Sequence, residues 1–598
     1  MLTLPPTRRA EAWTLTAVLA VALGLRAWGL GFGLPAVYNP DEVAIMSRAL
    51  AFATGDLNPH NFLYPTFYFY VLFGWVGASF VPAWLLGVSA SPAEFQRQFF
   101  ADPTWVYLAG RWLGVTCGVA SVAATWVLGR RLAGPVAGLA AALFLAVAPI
   151  AVRDAHYVKH DVPVTLAVLV AAIAMVRLAG RQDGPSPASV GWRPLVVAGA
   201  ACGVAFSTHY YSVFLALPLA FAAWQATRDR GPAAVARALA LAGLAATVVF
   251  FALSPYLLAE WRTALRDIVA NRQIVMDRAA QLEGRTWLPS AGDYLRMLWL
   301  EGTGWPVLVL SLGGVVSLAR RDWRATVLLG AFPLPFLLFI SNTVAATRYL
   351  NPALPFVAVY AGVAVAEFAA WRGRRAAGRP ADAITARGAG AVLAAGLSAV
   401  AALPGLVHSA RTGHFFTQTD TRTLAQQFIE REIAPGATVL LQPYSVPLQQ
   451  SRESLVEALT ATVCGPERAS TKFAARLRLD PYPAPAYRTL FLGDGGLDAD
   501  KNYVSYAEVA GADALAPLRA RGVEVVVWKR YDPPEPIAGD LVAALARDAR
   551  RLAVFSPYAD GAESTAGRPA PFLHHTDTPV DPALARPGPV VEVWHLDR

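Results

Sequence analysis

Apolar residues dominate about 13–34, 62–88, 105–129, 134–152, 162–179, 194–208, 211–226, 237–257, 304–319, 324–341, 351–371 and 388–407, with short polar breaks between them. Most of these runs approach the ~20 residues that an α-helix needs to cross a bilayer. After 408 the pattern changes, as charge, proline and glycine return and the apolar runs shorten. "TRTLAQQFIEREI" places Leu424, Phe428 and Ile429 on one helical face. "ATVLLQ", "TLFLG", "VEVVVWKR" and "VVEVWHL" read as strands bounded by proline and glycine. The pattern therefore predicts a polytopic α-helical membrane region over 1–407 and a small α/β domain over 408–598. That domain carries no zinc spacing, P-loop or dinucleotide fingerprint, and its "GDGG" (493–496) reads as a turn.

Charge orders the runs. Basic clusters fall at Arg8-Arg9, Arg130-Arg131, Arg177 to Arg193, Arg228 to Arg237, Arg320 to Arg324 and Arg372 to Arg387, and the positive-inside rule assigns all of them to the cytoplasm. An even number of crossings must separate Arg9 from Arg130, yet three apolar runs lie there. The run 62–88, aromatic-rich and broken by Pro65 and Pro82, is the one expected to stay on the outer side as a re-entrant or juxtamembrane segment. Residues 35–104 then form one external region. The other runs pair as hairpins, including a broken pair meeting at "STHYY" and an outer loop of about 45 residues between 257 and 304. The expectation is eleven spans in the inner (cell) membrane, with the N-terminus cytoplasmic and the C-terminal domain periplasmic or extracellular.

Composition agrees. The 598 residues are 55% hydrophobic and 16% charged, against roughly 25% charged in a soluble domain. The net charge of +9 belongs to cytoplasmic loops and does not indicate nucleic-acid binding. The opening "MLTLPPTRRAEAW" reads as the start of a retained helix, not a cleavable signal. Of three cysteines, Cys117 and Cys202 lie in apolar runs, so Cys464 has no partner for a disulfide within the C-terminal domain.

On this topology, polar residues from distant segments reach one leaflet. Asp41, Glu42 and His60 lie in the first external region, and Arg111 lies near the outer end of the second span. Asp154, His156, Lys159, His160 and Asp161 fill the next outer turn, His209 sits at the broken pair, and Arg348 and Tyr349 lie in the last outer turn. Ionisable groups at such depths are costly and tend to mark function. Each also has a structural reading. Asp41 and Glu42 suit a helix N-terminus, Arg111 could snorkel, and Asp161 could cap the helix after it. His209 could be a satisfied interior histidine, and Asp154 with Lys159 a solvated pair. His156 and His160 stand at i, i+4, but no third ligand accompanies them.

Acids beside cations at a leaflet suit a lipid-phosphate-linked sugar. A carboxylate within hydrogen-bond reach can take an acceptor's proton, and an arginine can hold a phosphate leaving group through both arms of its fork. The sequence also resembles a family. "NPDEVAIMSRALAFATGDLNP" looks like the first-loop Asp-Glu motif of the membrane-embedded (GT-C) glycosyltransferases that use polyprenyl-phosphate sugars, with the protein O-mannosyltransferase and lipid A aminoarabinose transferase group most alike. "YPTFYFY", "LAGRWLGVTCGVASVAATWVLGRRLAG", "APIAVRDAHYVKHDVPVTLAVLVA", "GVAFSTHYYSVFLALP" and "ATRYLNPALPF" follow in that group's order, and the likeness covers about 10–410. The chain departs from the pattern at Tyr64 and Thr66, within the family's His/Lys-Pro-Pro segment, and at His209, where the family has lysine.

The resemblance implies a general base at Asp41, an orienting role for Glu42 and a shaping role for Asp161. It implies donor-phosphate contacts at Arg111, His209, Arg348 and Tyr349. His60, Tyr64, Lys159 and His160 are candidate substrate contacts. It further implies an inverting transfer that needs no catalytic metal or other cofactor. The partners are a polyprenyl-phosphate-linked sugar, membrane lipid, and an acceptor that could be a protein, a lipid or a glycan. The competing classes are a transporter or lipid-sugar flippase and a non-catalytic scaffold. Against the transporter, no inverted repeat is evident and the charges gather at one leaflet.

Overall fold

The computed structural model describes residues 6–180, 191–283, 287–376, 383–495, 498–530, 539–569 and 580–597. Parts of the basic stretches 177–193 and 372–387, and the last residue of "GDGG", fall outside them. The chain divides into two compact units. One comprises 1–30, 41–77 and 109–413, and the other 31–40, 78–108 and 414–598.

The first unit is helical. Among the described residues of the chain, eight helices are long and apolar enough to cross a membrane, or nine if one bent pair counts as a span. Eleven were expected from the apolar runs, and the difference has local causes. The runs 105–129 and 134–152 form two helices, counted as one continuous stretch over Thr104–Ala146, that meet at a kink where Ala133 and Gly134 leave helical geometry ahead of Pro135. The pair meeting at "STHYY" is indeed broken. Trp192–Thr208 ends at His209 in an extended conformation, a 3₁₀ turn covers Tyr210–Leu215, and Ala216–Thr227 follows. Both of these α-helices are shorter than 18 residues. The segment Phe67–Leu85 passes the length and apolarity test; its assignment to the outer side rests on the charge rule.

Between 257 and 304 the chain is mostly helical, with Trp261–Glu283 and Ala291–Met297. The helix ending at Gly302 and the helix Trp305–Arg321 meet at 109°. Gly304, at φ 81°, supplies the left-handed corner. Close packing explains another glycine pair. A Cβ on Gly199 or Gly203 would run into the carbonyls of Ala242 and Ala246, so this small-xxx-small face lets helix Trp192–Thr208 lie directly on Pro232–Leu253.

The second unit holds a six-stranded sheet: β1 Thr438–Leu441, β2 Arg488–Leu492, β3 Asn502–Val504, β4 Val523–Arg530, β5 Arg550–Phe555 and β6 Val590–His595, in the order β3-β2-β1-β4-β6-β5. The first four neighbours run parallel, and β6 and β5 join antiparallel. Both faces are covered: Val439, Leu441, Val525 and Val527 pack with Ile429 on one side, and Leu440, Val526 and Trp528 with Leu541 and Leu545 on the other. That double burial is why "VEVVVWKR" is apolar at successive positions.

Candidate active site

Residue by residue, the site starts at helix Pro40–Ala51, whose first turn carries both acids. They point different ways. Glu42 is fully buried and takes both arms of the Arg111 fork, with Nε donating to Oε1 at 3.0 Å and Nη2 to Oε2 at 2.9 Å. The Val158 N–H also donates to Glu42 Oε1, at 2.9 Å. Arg111 Nη1 donates to the Leu30 carbonyl at 2.8 Å, and the side chain has no exposed surface. This corrects the sequence reading of Arg111 as a phosphate contact. A guanidinium closed on a carboxylate and a carbonyl, away from solvent, positions the acid helix.

Asp41 faces outward from that pair. Its side chain is half-exposed and its Oδ2 lies 3.0 Å from Lys159 Nζ, which is buried. Burial favours its neutral form. The Lys159 ammonium and then the Arg348 guanidinium outweigh that effect and hold the Asp41 carboxyl below the usual carboxylate range. Asp41 is thus the ionised, accessible acid and Glu42 the buried, paired one.

The turn 155–160 supplies the next wall. His156 is fixed between the Val152 and Trp28 carbonyls at 2.9 and 3.0 Å, and burial pushes its pKa down to about 4. A buried ring with both nitrogens against backbone carbonyls is structural. Among the described residues no group of three His, Cys, Asp or Glu side chains has metal-holding geometry. His160 turns the other way. Its ring lies 4.2 Å from Tyr64 and 4.7 Å from His209, between centroids, and His209 stacks on Tyr211 at 3.7 Å. Tyr64 is placed by its neighbours' backbones: Phe62 N–H donates to Asp267 at 3.1 Å, and Thr66 N–H to Ser254 at 3.2 Å.

Arg348 and Tyr349 sit on the 3₁₀ turn Thr347–Leu350, with the guanidinium 5.1 Å from the Tyr349 ring centre. A buried network that sequence reasoning missed clamps this turn. Arg153 donates to Thr347 Oγ1 at 2.6 Å and to Asp154 at 3.2 Å, and lies 3.5 Å from Glu301. Asn351 Nδ2 donates to Asp154 at 2.6 Å and to the Arg348 carbonyl at 3.0 Å. Asp154 is therefore a buried clamp residue and not half of a solvated pair with Lys159. Glu301, alone among apolar residues in "MLWLEGTGWP", was the signal available.

His60 does not join these residues. It is exposed, with Nε2 2.8 Å from Asp56 and Nδ1 3.4 Å from Glu260. Hydrogen bonds within 56–60 and the positive φ of His60, 48°, turn its ring that way. Beside the broken helix pair lies an apolar cavity of about 430 Å³, walled by Phe206, Leu219, Leu239 and Phe250 among others.

This geometry can be set beside known proteins. The oligosaccharyltransferase of Archaeoglobus fulgidus is similar over 87% of this chain and 69% of its own, at 12% identity and a TM-score of 0.50. The chain has the GT-C glycosyltransferase fold. Residues 102–259 of the chain match the family described as dolichyl-phosphate-mannose-protein mannosyltransferase. ArnT of Cupriavidus metallidurans, solved bound to undecaprenyl phosphate, is similar over 98% of this chain and 97% of its own, at 16% identity and a TM-score of 0.48. No curated protein matches by sequence. The GT-C resemblance read from the sequence, the polytopic helical architecture and the C-terminal sheet domain are borne out. These relatives are glycosyltransferases, the enzyme class that the resemblance implied.

Proposed function

We propose that the chain is an integral membrane glycosyltransferase that moves a sugar from a polyprenyl-phosphate donor to an acceptor hydroxyl at the outer face of the cell membrane. The observation that carries this reading is Asp41, half-exposed, ionised and 3.0 Å from Lys159, within electrostatic reach of Arg348. In the step, the Asp41 carboxylate takes the acceptor's proton as its oxygen bonds to the anomeric carbon. The bond from that carbon to the phosphate oxygen breaks, and polyprenyl phosphate departs. Attack opposite the leaving group inverts the anomeric centre. Arg348 and Lys159 meet the charge that grows on the leaving phosphate. Glu42 and Arg111 hold the acid helix against the turn 155–160. The apolar cavity beside the broken helices suits a prenyl chain, and the family that matches 102–259 is named for a lipid-phosphate sugar donor. The outer-face orientation rests on the placement of the basic clusters.

Lipid profiles and intact protein masses from deletion and wild-type cells test the reading. Loss of a hexose- or pentose-sized increment from a lipid, glycan or protein is expected, and identical profiles overturn it.

Arg348 gives a sharper test at the donor phosphate. Arg348→Ala is expected to weaken binding of a polyprenyl phosphate more than Arg348→Lys does, because lysine keeps the charge but loses the two-pronged fork. Equal affinity in wild type and both variants removes Arg348 from the phosphate site.

A further inference from the structure

The second unit contains a segment from near the N-terminus. Residues 31–40 belong to it together with 414–598, and at Pro40 the chain passes into the first unit and into helix Pro40–Ala51, which carries Asp41. Two aromatic side chains fix this segment. Phe32 stacks on Phe416, with ring centres 4.3 Å apart. The buried Tyr38 ring lies under the Arg422 guanidinium, whose Cζ is 3.7 Å from the ring centre, and the Tyr38 hydroxyl is 2.7 Å from Thr423 Oγ1. A guanidinium over an aromatic face holds best where water is excluded. Gly33, at φ 63°, completes the seat, since a Cβ there would come within 2.8 Å of Tyr38 Cδ2.

Arg422 is itself held on every side. It is fully buried, and Asp420 accepts its backbone N–H at 2.8 Å, its Nε at 2.9 Å and its Nη2 at 2.7 Å. Thr421 ties the same turn to the start of β6, donating its N–H to the Pro587 carbonyl at 3.0 Å and its hydroxyl to the Pro589 carbonyl at 2.6 Å. Arg422 Nη1 lies 3.5 Å from the Tyr444 carbonyl, in the loop that leaves β1. That loop is at the carboxyl edge of the parallel strands, beside the β1–β4 step where the strand order reverses. Open α/β sheets take their ligands at this edge, and here the edge holds a tyrosine of the same chain.

We infer that Tyr38 is a positioning residue for Asp41, and that the sheet domain serves the reaction by fixing, through Arg422, the lead-in to the acid helix. This rests on the reading of Asp41 as the base. Asp41 follows Tyr38 by three residues. Of the two between, Asn39 is buried and Pro40 has its φ fixed by its ring, so little backbone freedom separates the clamp from the carboxylate. Glu42 and Arg111 anchor that helical turn within the first unit, and Tyr38 anchors its lead-in within the second. A misplacement of ~1 Å at a reacting group costs roughly 10²-fold in rate.

The test uses the full-length protein in nanodiscs and two readouts. By hydrogen–deuterium exchange, Tyr38→Ala is expected to speed exchange in helix Pro40–Ala51 about 10-fold, and Tyr38→Phe, which keeps the ring under Arg422, to leave it within about twofold. In a transfer assay, Tyr38→Ala is expected to lower kcat about 10²-fold, to leave affinity for undecaprenyl phosphate within about twofold, and to move the low-pH fall in turnover upward as Asp41 leaves Lys159. Tyr38→Ala/Lys159→Gln should move that fall no further than Lys159→Gln alone, because both changes act on one ion pair. Leu541→Ala opens a cavity on the sheet face opposite Ile429 and is expected to lower the domain's stability without moving either readout. Unchanged exchange in the acid helix of Tyr38→Ala overturns the clamp. A low-pH fall that stays in place in Tyr38→Ala, or shifts equally in Leu541→Ala, overturns the positioning role. Asp41→Asn with wild-type turnover instead overturns the base reading on which it rests.

Discussion

Asp41→Asn is expected to lower kcat by about 10²–10⁴-fold, the usual contribution of a general base, while donor affinity stays close to wild type. The substitution keeps shape and volume and removes only the ability to accept a proton. Two features make Asp41 the acid to change. Half of its side chain is exposed, so an acceptor hydroxyl can reach it, whereas the Glu42 carboxylate is closed against Arg111. Lys159 and Arg348 also keep it ionised despite burial. The sign for pH follows. A base works when deprotonated, so turnover falls as pH drops through the Asp41 pKa, and that limb should lie below the ~3.9 of an ordinary aspartate. Lys159→Gln removes the nearest cation and is expected to move the limb upward. Asp41→Asn with near-wild-type turnover reduces the acid pair to a favourable helix start, and an unmoved limb in Lys159→Gln removes the ion pair from the mechanism.

Much of this arrangement was legible in the sequence, and the limits are instructive. Apolar runs and basic clusters are one-dimensional signals, and they located the helices, the break at His209 and the segments between helices that hold Asp41, Lys159 and Arg348. Burial and partner choice are three-dimensional. Nothing in "YLAGRWLGV" distinguishes an arginine that binds phosphate from one whose fork closes on Glu42, 69 residues earlier. His60 looked equivalent to His160 by position, until local hydrogen bonds turned it toward Asp56. In the sheet domain four strands were readable, while β3 and β5 were not. The first has three residues, and the second opens on Arg550-Arg551 at an edge, where charge replaces apolar alternation. Register between distant strands, such as β1 against β4, has no local signature at all.

The second large effect is expected at Arg111. Removing one partner of a buried ion pair costs roughly 3–5 kcal/mol, because the other charge is left without compensation. In Arg111→Leu the Glu42 carboxylate would keep the Val158 N–H but lose both guanidinium bonds in a site closed to water. Helix Pro40–Ala51 would then lose its tie to the helix that carries Arg111, and Asp41 would drift from Lys159. Stability in detergent and turnover should therefore fall together in Arg111→Leu, with Asp41 chemically intact. Glu42→Leu alone should be comparably damaging, since it buries an unpaired guanidinium. The double variant Glu42→Leu/Arg111→Leu should recover much of the lost stability, because no unpaired charge remains. It should not recover full turnover, because two leucines do not fix the Val158 N–H or the angle of the acid helix. The cycle is measured by denaturant titration in detergent beside a transfer assay. A single Arg111→Leu variant that keeps wild-type stability and loses only donor affinity would return Arg111 to the phosphate site, and a double variant worse than either single one would show that the pair is more than a neutralised charge.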